Sequence, residues 1–401
     1  MRARVFSLTW LSYAVYYFGR KSFPVVKATL ETQLGISRGT LGAIDTAYLT
    51  TYAVGQFTMG RLGDRVGARR LIGFGMLASS ALCVAFGFSS AALVFAVLFG
   101  LNGIFQATGW PGNVKAMAAA YGPTERGKAM GLWTTCFQVG PLAATALAAY
   151  LLQHQGWRPA FLYPAICVGI VGVLILSFLP NQEVPQSNAV ASKARGDAVK
   201  LALRNPIVWL LGTSYFGMKL IRYCIDFWQP YYLERALGYA KDEAAYFSIA
   251  FQFGGIFGSI AIGWISDKWF PKRRGAVAMV ATALLAVSLL IYAGVGPSGR
   301  IPGAIALALV GFFLFGPDAL ISGVAAQDIG GPLATSTIAG FINGCGSVGA
   351  IAQGLVVVEV SERFGWAAVF HVLMGLAAFS SIALAAVWRL QRREPLEHRT
   401  G

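Results

Sequence analysis

Apolar blocks of about twenty residues follow one another along nearly the whole chain, separated by short polar turns. A bilayer's hydrocarbon core is ~30 Å thick, and an α-helix needs about 20 apolar residues to cross it. A chain written this way has to fold as a bundle of membrane-crossing helices, because an isolated helix satisfies its own backbone hydrogen bonds in lipid. Charged residues make up only 12% of the sequence and hydrophobic residues 56%, against roughly 25% charged in a soluble domain. Twelve spans are expected, near residues 5–27, 41–62, 69–90, 91–120, 128–153, 157–180, 206–233, 243–268, 275–296, 301–325, 332–358 and 366–390. The expected fold class is an all-α polytopic membrane protein.

The net charge of +15 would suit a nucleic-acid partner, but its distribution points elsewhere. Of the 32 Lys and Arg, 20 fall in the two termini and the loops after even-numbered spans, 7 in the opposite loops and 5 inside spans. This bias places both termini in the cytoplasm by the positive-inside rule, and it adds affinity for anionic lipid. Arg2 and Arg4 precede an apolar run as in a signal peptide, but Arg20-Lys21 stands where a small-residue cleavage site belongs. Residues 5–27 are therefore read as the first span. The five cysteines all lie in spans without CxxC spacing, so they imply neither disulfide nor metal.

One polar stretch, residues 181–205, divides six spans from six and reads as a cytoplasmic linker. Residues 1–180 and 206–401 are then two six-helix bundles related by duplication. GPTERGKAMGLWTTCFQVG (122–140) matches GPLATSTIAGFINGCGSVG (331–349), with Gly, Pro, Gly, Cys, Val and Gly coinciding at an offset of 209. GWRPAF (156–161) matches GWAAVF (365–370) at the same offset. Gly131, Gly140, Gly340, Gly344, Gly346 and Gly349 are expected to let helix backbones approach closely.

Two arginines, Arg20 in the first span and Arg222 in the seventh, sit at matching places in the two halves. An arginine at mid-membrane costs roughly 2.5–3.5 kcal/mol even on the mildest scale, so it must face a polar cavity or a charged partner. A guanidinium offers a planar fork that grips phosphoryl or carboxylate oxygens and stays charged at working pH. An anion site between two repeats is one reading; an internal ion pair with Asp45, Asp226 or Asp318 is the other. Lys219 lies three residues before Arg222, on one helix face. Lys21 points away from Arg20, toward a carboxylate, and Lys115 is expected to snorkel to the cytoplasmic edge. Asp226 is expected to act as a structural partner of Lys219 or Arg222. Tyr13, Tyr17, Tyr48, Tyr52, Trp110 and Trp133 are either cavity wall or helix contact.

GRLGDRVGARR (60–70) follows the second span and GWISDKWFPKRR (263–274) the eighth. The first resembles the loop signature of the major facilitator superfamily, and the second its degenerate copy. Gly60, Asp64, Arg65 and Asp267 are the expected conformational switch, with charge contacts that form and break as the halves rock. Tyr17-Phe18-Gly19-Arg20-Lys21-Ser22-Phe23, Gly109-Trp110-Pro111 to Lys115, and Arg222-Tyr223 followed by Trp228-Gln229-Pro230 resemble the organophosphate:phosphate antiporters. Lys219-Leu220 and Gly316-Pro317-Asp318-Ala319-Leu320-Ile321 are more similar to that family's sugar-phosphate exchangers. The resemblance implies a major facilitator fold in which Arg20 and Arg222 bind a phosphoryl group. It places Lys21 beside the first arginine and Tyr13, Tyr17 and Tyr52 on the cavity wall. Two positions depart from the family: Gln56 stands for a lysine and Phe137, between Cys136 and Gln138, for a histidine.

The sequence contains no catalytic constellation and no phosphate-binding nucleotide loop, which excludes an ATP-driven pump and points away from an enzyme. The resemblance implies a secondary exchanger of an organophosphate (a sugar phosphate or glycerol 3-phosphate) for inorganic phosphate, without cofactor or metal and monomeric, in a bacterial cytoplasmic membrane. Gln138, Gln252 and Asn343 are expected to meet the remainder of the substrate. A proton-coupled organic-anion symporter and a membrane sugar-phosphate sensor are the alternatives. The charge bias makes one direct prediction. A reporter active only in the cytoplasm should be active when fused at either terminus and silent when fused in the loop after the first span; the reverse pattern refutes the topology.

Overall fold

A computed structural model describes residues 1–181, 189–239, 241–270 and 274–393. Residues 182–188 of the expected linker, Pro271 to Arg273 of the second switch loop and the last eight residues of the chain lie outside them. Among the described residues every regular element is helical.

The first span is two helices, α1 (Arg2–Tyr16) and α2 (Phe18–Leu34), joined at Tyr17. The second is α3 (Arg38–Val66), which begins where the Ser37 side chain accepts a hydrogen bond from the Thr40 backbone N–H. The third is α4 (Ala68–Phe88). The fourth breaks into α5 (Ala92–Gln106) and α6 (Gly109–Ala120), and the fifth into α7 (Arg126–Trp133) and α8 (Cys136–Gln155). The sixth is α9 (Pro159–Phe178). Part of the expected polar linker is itself helical, as α10 (Ala189–Arg204). The seventh span, α11 (Pro206–Arg235), has Asn205 capping the Ile207 N–H and proline at its first position. Then come α12 (Lys241–Trp269), α13 (Arg274–Val295) and α14 (Arg300–Asp318), which runs through a π-helical turn, Ala319–Val324, into α15 (Ala325–Arg393).

That last run of 69 residues holds the eleventh and twelfth spans. It is interrupted where Gly331 (φ +52°) and Gly365 (φ +79°) take left-handed conformations that disfavour any side chain. Gly156, the repeat partner of Gly365, has φ +94° between α8 and α9. The duplicated Gly-Trp pair thus marks the same turn twice.

Seven helical stretches among the described residues are long and apolar enough to cross a membrane, and one of them, Arg300–Arg392, covers three spans. The remaining three spans of the twelve are α1–α2, α3 and α11. These carry the internal charges or, for α1–α2, a break in mid-course.

The chain forms two compact units. Unit 1 comprises Met1–Gly122, Thr135–Ala202 and Ala326–Gly344; unit 2 comprises Pro123–Thr134, Leu203–Ala325 and Cys345–Gly401. Each unit is built on close pairs of helices at small residues. In unit 1, Gly103 of α5 lies on the Tyr48 carbonyl and Thr51 of α3, and the Thr51 hydroxyl donates to Gly100 O at 2.6 Å. In unit 2 the corresponding pair is α12 and α14. Gly254 and Gly258 lie on the backbone of Ala308 and Phe312, and Gly311 lies on that of Phe251. All six glycines expected at helix contacts are in such places: Gly131 on Ser259 and Gly140 on Ala14 and Tyr17, Gly340 on Gln56 and Gly344 on Phe57, Gly346 on Tyr215 and Gly349 on Phe216.

Without a hydrophobic force between helices in lipid, this contact is what holds each unit together. Gly258→Ala should therefore force α12 and α14 apart and cost about 1–3 kcal/mol, read as a lower melting temperature in detergent. Gly375→Ala, where a Cβ meets nothing within 4 Å, should leave the melting temperature unchanged or raise it. Equal effects of the two substitutions would contradict this account.

Candidate functional site

In unit 1 the site is built around the break in the first span. Proline 24 has no N–H, so the Arg20 carbonyl loses its helical partner. The turn at Tyr17 is tight, with Tyr17 N donating to Ala14 O at 3.3 Å and Arg20 N to Tyr17 O at 3.2 Å. The next residue back, Gly19, is braced from behind. Asn102 Nδ2 donates to its carbonyl at 2.8 Å, Cys83 Sγ lies 3.3 Å from the same oxygen, and Ser79 links Asn102 to Gln106. A Cβ at Gly19 would meet Gln106 Nε2 at 2.5 Å, so the brace requires glycine there.

The Arg20 guanidinium is thereby held among tyrosines. It lies 3.8 Å from the Tyr17 ring centroid, 5.9 Å from Tyr13 and 6.0 Å from Tyr52. Its Nε is buried without a hydrogen-bond partner, and among the described residues Arg20 forms no ion pair. Asp45 is taken by Lys27. Phe137, where the resemblance led to the expectation of a histidine, completes an aromatic wall at 5.3 Å from Tyr13 and 5.5 Å from Trp110. Gln56 lies one turn beyond Tyr52 on α3, fully buried, with neither end of its amide hydrogen-bonded. Gln138 and Asn343 are buried in this unit, and Lys21 is half-buried.

In unit 2, Lys219 and Arg222 share one face of α11, as their spacing requires, but Arg222 is not an open cation. Its Nη1 lies 3.1 Å from Asp318 Oδ2 and its Nε 3.5 Å from Asp226 Oδ2. The ring of Phe315 lies beneath it, 4.6 Å from Cζ. Asp318 is itself fixed by the Tyr215 hydroxyl at 2.7 Å and the Ser322 hydroxyl at 3.2 Å. Asp226 accepts from Gln252 Nε2 at 2.6 Å, so Gln252 holds a carboxylate here. Lys219 Nζ donates to Ser347 Oγ at 2.9 Å, across the close approach that Gly346 allows. The internal ion pair foreseen for the arginines is thus present at Arg222 and, among the described residues, absent at Arg20.

Asp64 and Asp267, two of the expected switch residues, make the same set of contacts in each unit. Asp64, buried on α3, accepts from Ser336 N at 3.1 Å and Thr337 N at 2.7 Å, and pairs with Lys115 at 2.8 Å. Asp267 accepts from Gly127 N at 3.0 Å and Lys128 N at 2.6 Å, and pairs with Arg274 at 2.9 Å. Gly127 and Lys128 match Ser336 and Thr337 at the repeat offset of 209. Each carboxylate sits at a helix start, where unpaired N–H groups and the helix dipole favour negative charge. Gly60 and Gly63 let α3 approach Ser336 closely enough for this. Lys115, expected to reach for the cytoplasmic edge, ends on Asp64, a buried partner near the end of α3. Arg65 is exposed and stands apart from the cluster.

Sequence reasoning did not single out Ser79, Asn102 or Gln106. Two amides spaced four residues apart in an apolar span were the available signal, since such groups need partners in lipid.

The family model of the Major Facilitator Superfamily matches residues 9–354. The chain is 29% identical to the membrane sensor protein UhpC of Escherichia coli K12, over 96% of this chain and 91% of that protein. It is 27% identical to a probable hexose phosphate transport protein of Chlamydia pneumoniae, over 96% and 91%. The fold matches the solved structure of the proton:xylose symporter XylE with a TM-score of 0.75 at 14% identity, covering 95% of each chain. The chain belongs to the Major Facilitator Superfamily, as an integral membrane transporter and not an enzyme, and its relatives support the organophosphate:phosphate antiporters as its family.

Proposed function

We propose that the protein carries an organophosphate, a sugar phosphate or glycerol 3-phosphate, across a bacterial cytoplasmic membrane in exchange for inorganic phosphate. The observation that carries this reading is Arg20: a guanidinium inside a membrane span, ringed by tyrosines, with no carboxylate to answer its charge among the described residues. A charge so placed needs an anion from outside the chain. A phosphoryl group suits it, since its oxygens accept two parallel N–H bonds from the guanidinium fork. Relatives named for hexose phosphate transport and sugar phosphate exchange support the substrate class.

Arg222 is the second ligand in this reading, with Lys219 and Lys21 as additional cations. Tyr13, Tyr17 and Tyr52 shape the Arg20 pocket, and Gln138, Asn343 and the unpartnered Gln56 amide meet the organic remainder. Transport runs by alternating access, with residues 1–180 and 206–401 as the moving halves of a monomer and both termini cytoplasmic. The caps at Asp64 and Asp267 form and break during the cycle. A second reading, a sensor that binds sugar phosphate without carrying it, is favoured by the likeness to UhpC.

Proteoliposomes loaded with labelled phosphate separate the two. External glucose 6-phosphate or glycerol 3-phosphate should release the label, and Arg20→Lys should reduce release by about a hundredfold or more, since an ammonium cannot reproduce the bidentate grip. Binding of a phosphoester in a thermal-shift assay without any release would favour the sensor. Normal exchange in Arg20→Lys would remove the phosphoryl role from that residue.

A further inference from the structure

Beside Arg222 one buried acceptor lacks a donor. Gln252 Nε2 donates to Asp226 Oδ1 at 2.6 Å, while Gln252 Oε1 is buried without a hydrogen-bond partner among the described residues. We propose that Gln252 Oε1, oriented by Asp226, accepts a hydrogen bond from a hydroxyl of the organic part of the substrate, so that the protein selects phosphoesters with a neutral, hydroxyl-bearing remainder over those with a carboxylate or an apolar one. The inference rests on the phosphoryl reading above and specifies the rest of the cargo.

The argument starts from the amide. Its NH2 end only donates and its carbonyl end only accepts, whereas an ionised carboxylate only accepts. Asp226 therefore takes the NH2 end of Gln252 and turns the carbonyl the other way. A hydroxyl at position 226 would have tolerated either orientation; a carboxylate tolerates one. A buried acceptor left without a donor is costly, and the donor that answers this one comes from outside the chain.

The place of the amide ties it to the arginine. Asp226 Oδ2 lies 3.5 Å from Arg222 Nε. Phe251, the residue before Gln252 on α12, has its ring 5.2 Å from that of Phe315, and Phe315 lies beneath the guanidinium. Of the two carboxylates on Arg222, Asp226 is the accessible one, 22% exposed against 4% for Asp318. The stretch of α12 that carries Gln252 is fixed on α14, with Gly254 on Ala308 and Gly258 on Phe312. Gln252 thus sits on a rigid element, as a residue that reads a ligand should.

Charge decides which remainder fits. The formal charges of Lys219, Arg222, Asp226 and Asp318 cancel, so this network carries no surplus cation for a second anionic group. A carboxylate brought to Gln252 would set acceptor against acceptor and charge against Asp226. An alkyl group would leave Oε1 without a donor. A hydroxyl donates to it and brings no charge. A site that hydrogen-bonds a substrate hydroxyl rejects the analogue lacking it far more strongly than an apolar pocket rejects a changed methylene.

The test is calorimetric titration of the full chain in detergent, which measures binding and so treats an exchanger and a sensor alike. Glucose 6-phosphate and glycerol 3-phosphate offer hydroxyls and n-propyl phosphate offers none. 3-Phosphoglycerate carries a carboxylate where glycerol 3-phosphate has its terminal hydroxyl group, and inorganic phosphate reports the phosphoryl group alone. With the intact protein, the tighter of the two polyol phosphates should bind about tenfold or more tighter than n-propyl phosphate and 3-phosphoglycerate. In Gln252→Met, which keeps the length and removes the amide, that advantage should shrink to about twofold or less. Asp226→Asn lets the amide turn over and should shrink it too, and Asp226→Glu should restore it. Equal binding of polyol and n-propyl phosphates by the intact protein overturns the proposal whatever the variants do. So does 3-phosphoglycerate binding as tightly as the better polyol phosphate, or an undiminished advantage in Gln252→Met. Binding of none of these compounds, inorganic phosphate included, would instead defeat the phosphoryl reading on which it stands.

Discussion

Charge inside an apolar slab has to be answered within a few ångströms, and most of this structure is an arrangement for doing so. Lys115 is answered by Asp64, Arg274 by Asp267 and Arg222 by Asp226 and Asp318. The first two pairs sit where Gly60, Gly63 and Gly127 let neighbouring segments come together. Arg20 is the exception: among the described residues it has no carboxylate partner, and the faces of Tyr13, Tyr17 and Tyr52 lie around it. Ring quadrupoles attract a cation by roughly 0.5–2 kcal/mol, less than a desolvated guanidinium requires. The functional reading follows from that deficit.

Much of this was legible in the sequence because membrane folds are written in long, simple signals. Apolar block length set the spans, the offset of 209 set the repeat, and the small residues Gly131, Gly140, Gly340, Gly344, Gly346 and Gly349 marked helix contacts that the structure contains. What escaped were features that depend on which side chains meet across helices. Periodicity could not say that Asp318 rather than Asp45 pairs with Arg222, because α11 and α14 meet through tertiary contact. Nor could it show that the fourth and fifth spans break near Ala107 and Thr134, where no proline stands at the break itself. The Ser79–Asn102–Gln106 brace behind Gly19 was hidden for the same reason.

Duplication gave the two units equivalent frames but not equivalent chemistry. The caps at Asp64 and Asp267 use helix starts related by the repeat, and the Gly-Trp turns at Gly156 and Gly365 share a left-handed backbone. These shared parts act on backbone N–H groups and backbone conformation. The arginine environments act through side chains and have separated: an aromatic enclosure in unit 1, a polar and ionic network in unit 2. That asymmetry leaves Arg20 without a carboxylate partner among the described residues and Arg222 with two.

The wall at Phe137 carries a consequence for how the protein responds to acidity. Beside Arg20 stand Tyr13, Tyr17 and Tyr52, and Trp110 and Phe137 pack against Tyr13; the Phe137 ring carries no ionisable group. A histidine at position 137 would have titrated between about pH 5 and 8. In the proposed function the phosphoryl ligand passes from monoanion to dianion near pH 6, and the side chain at position 137 adds no titration of its own. On that proposal, the ionisation that the medium adjusts at position 137 is the cargo's own, and acidity reaches the carrier there as a change in what it is offered.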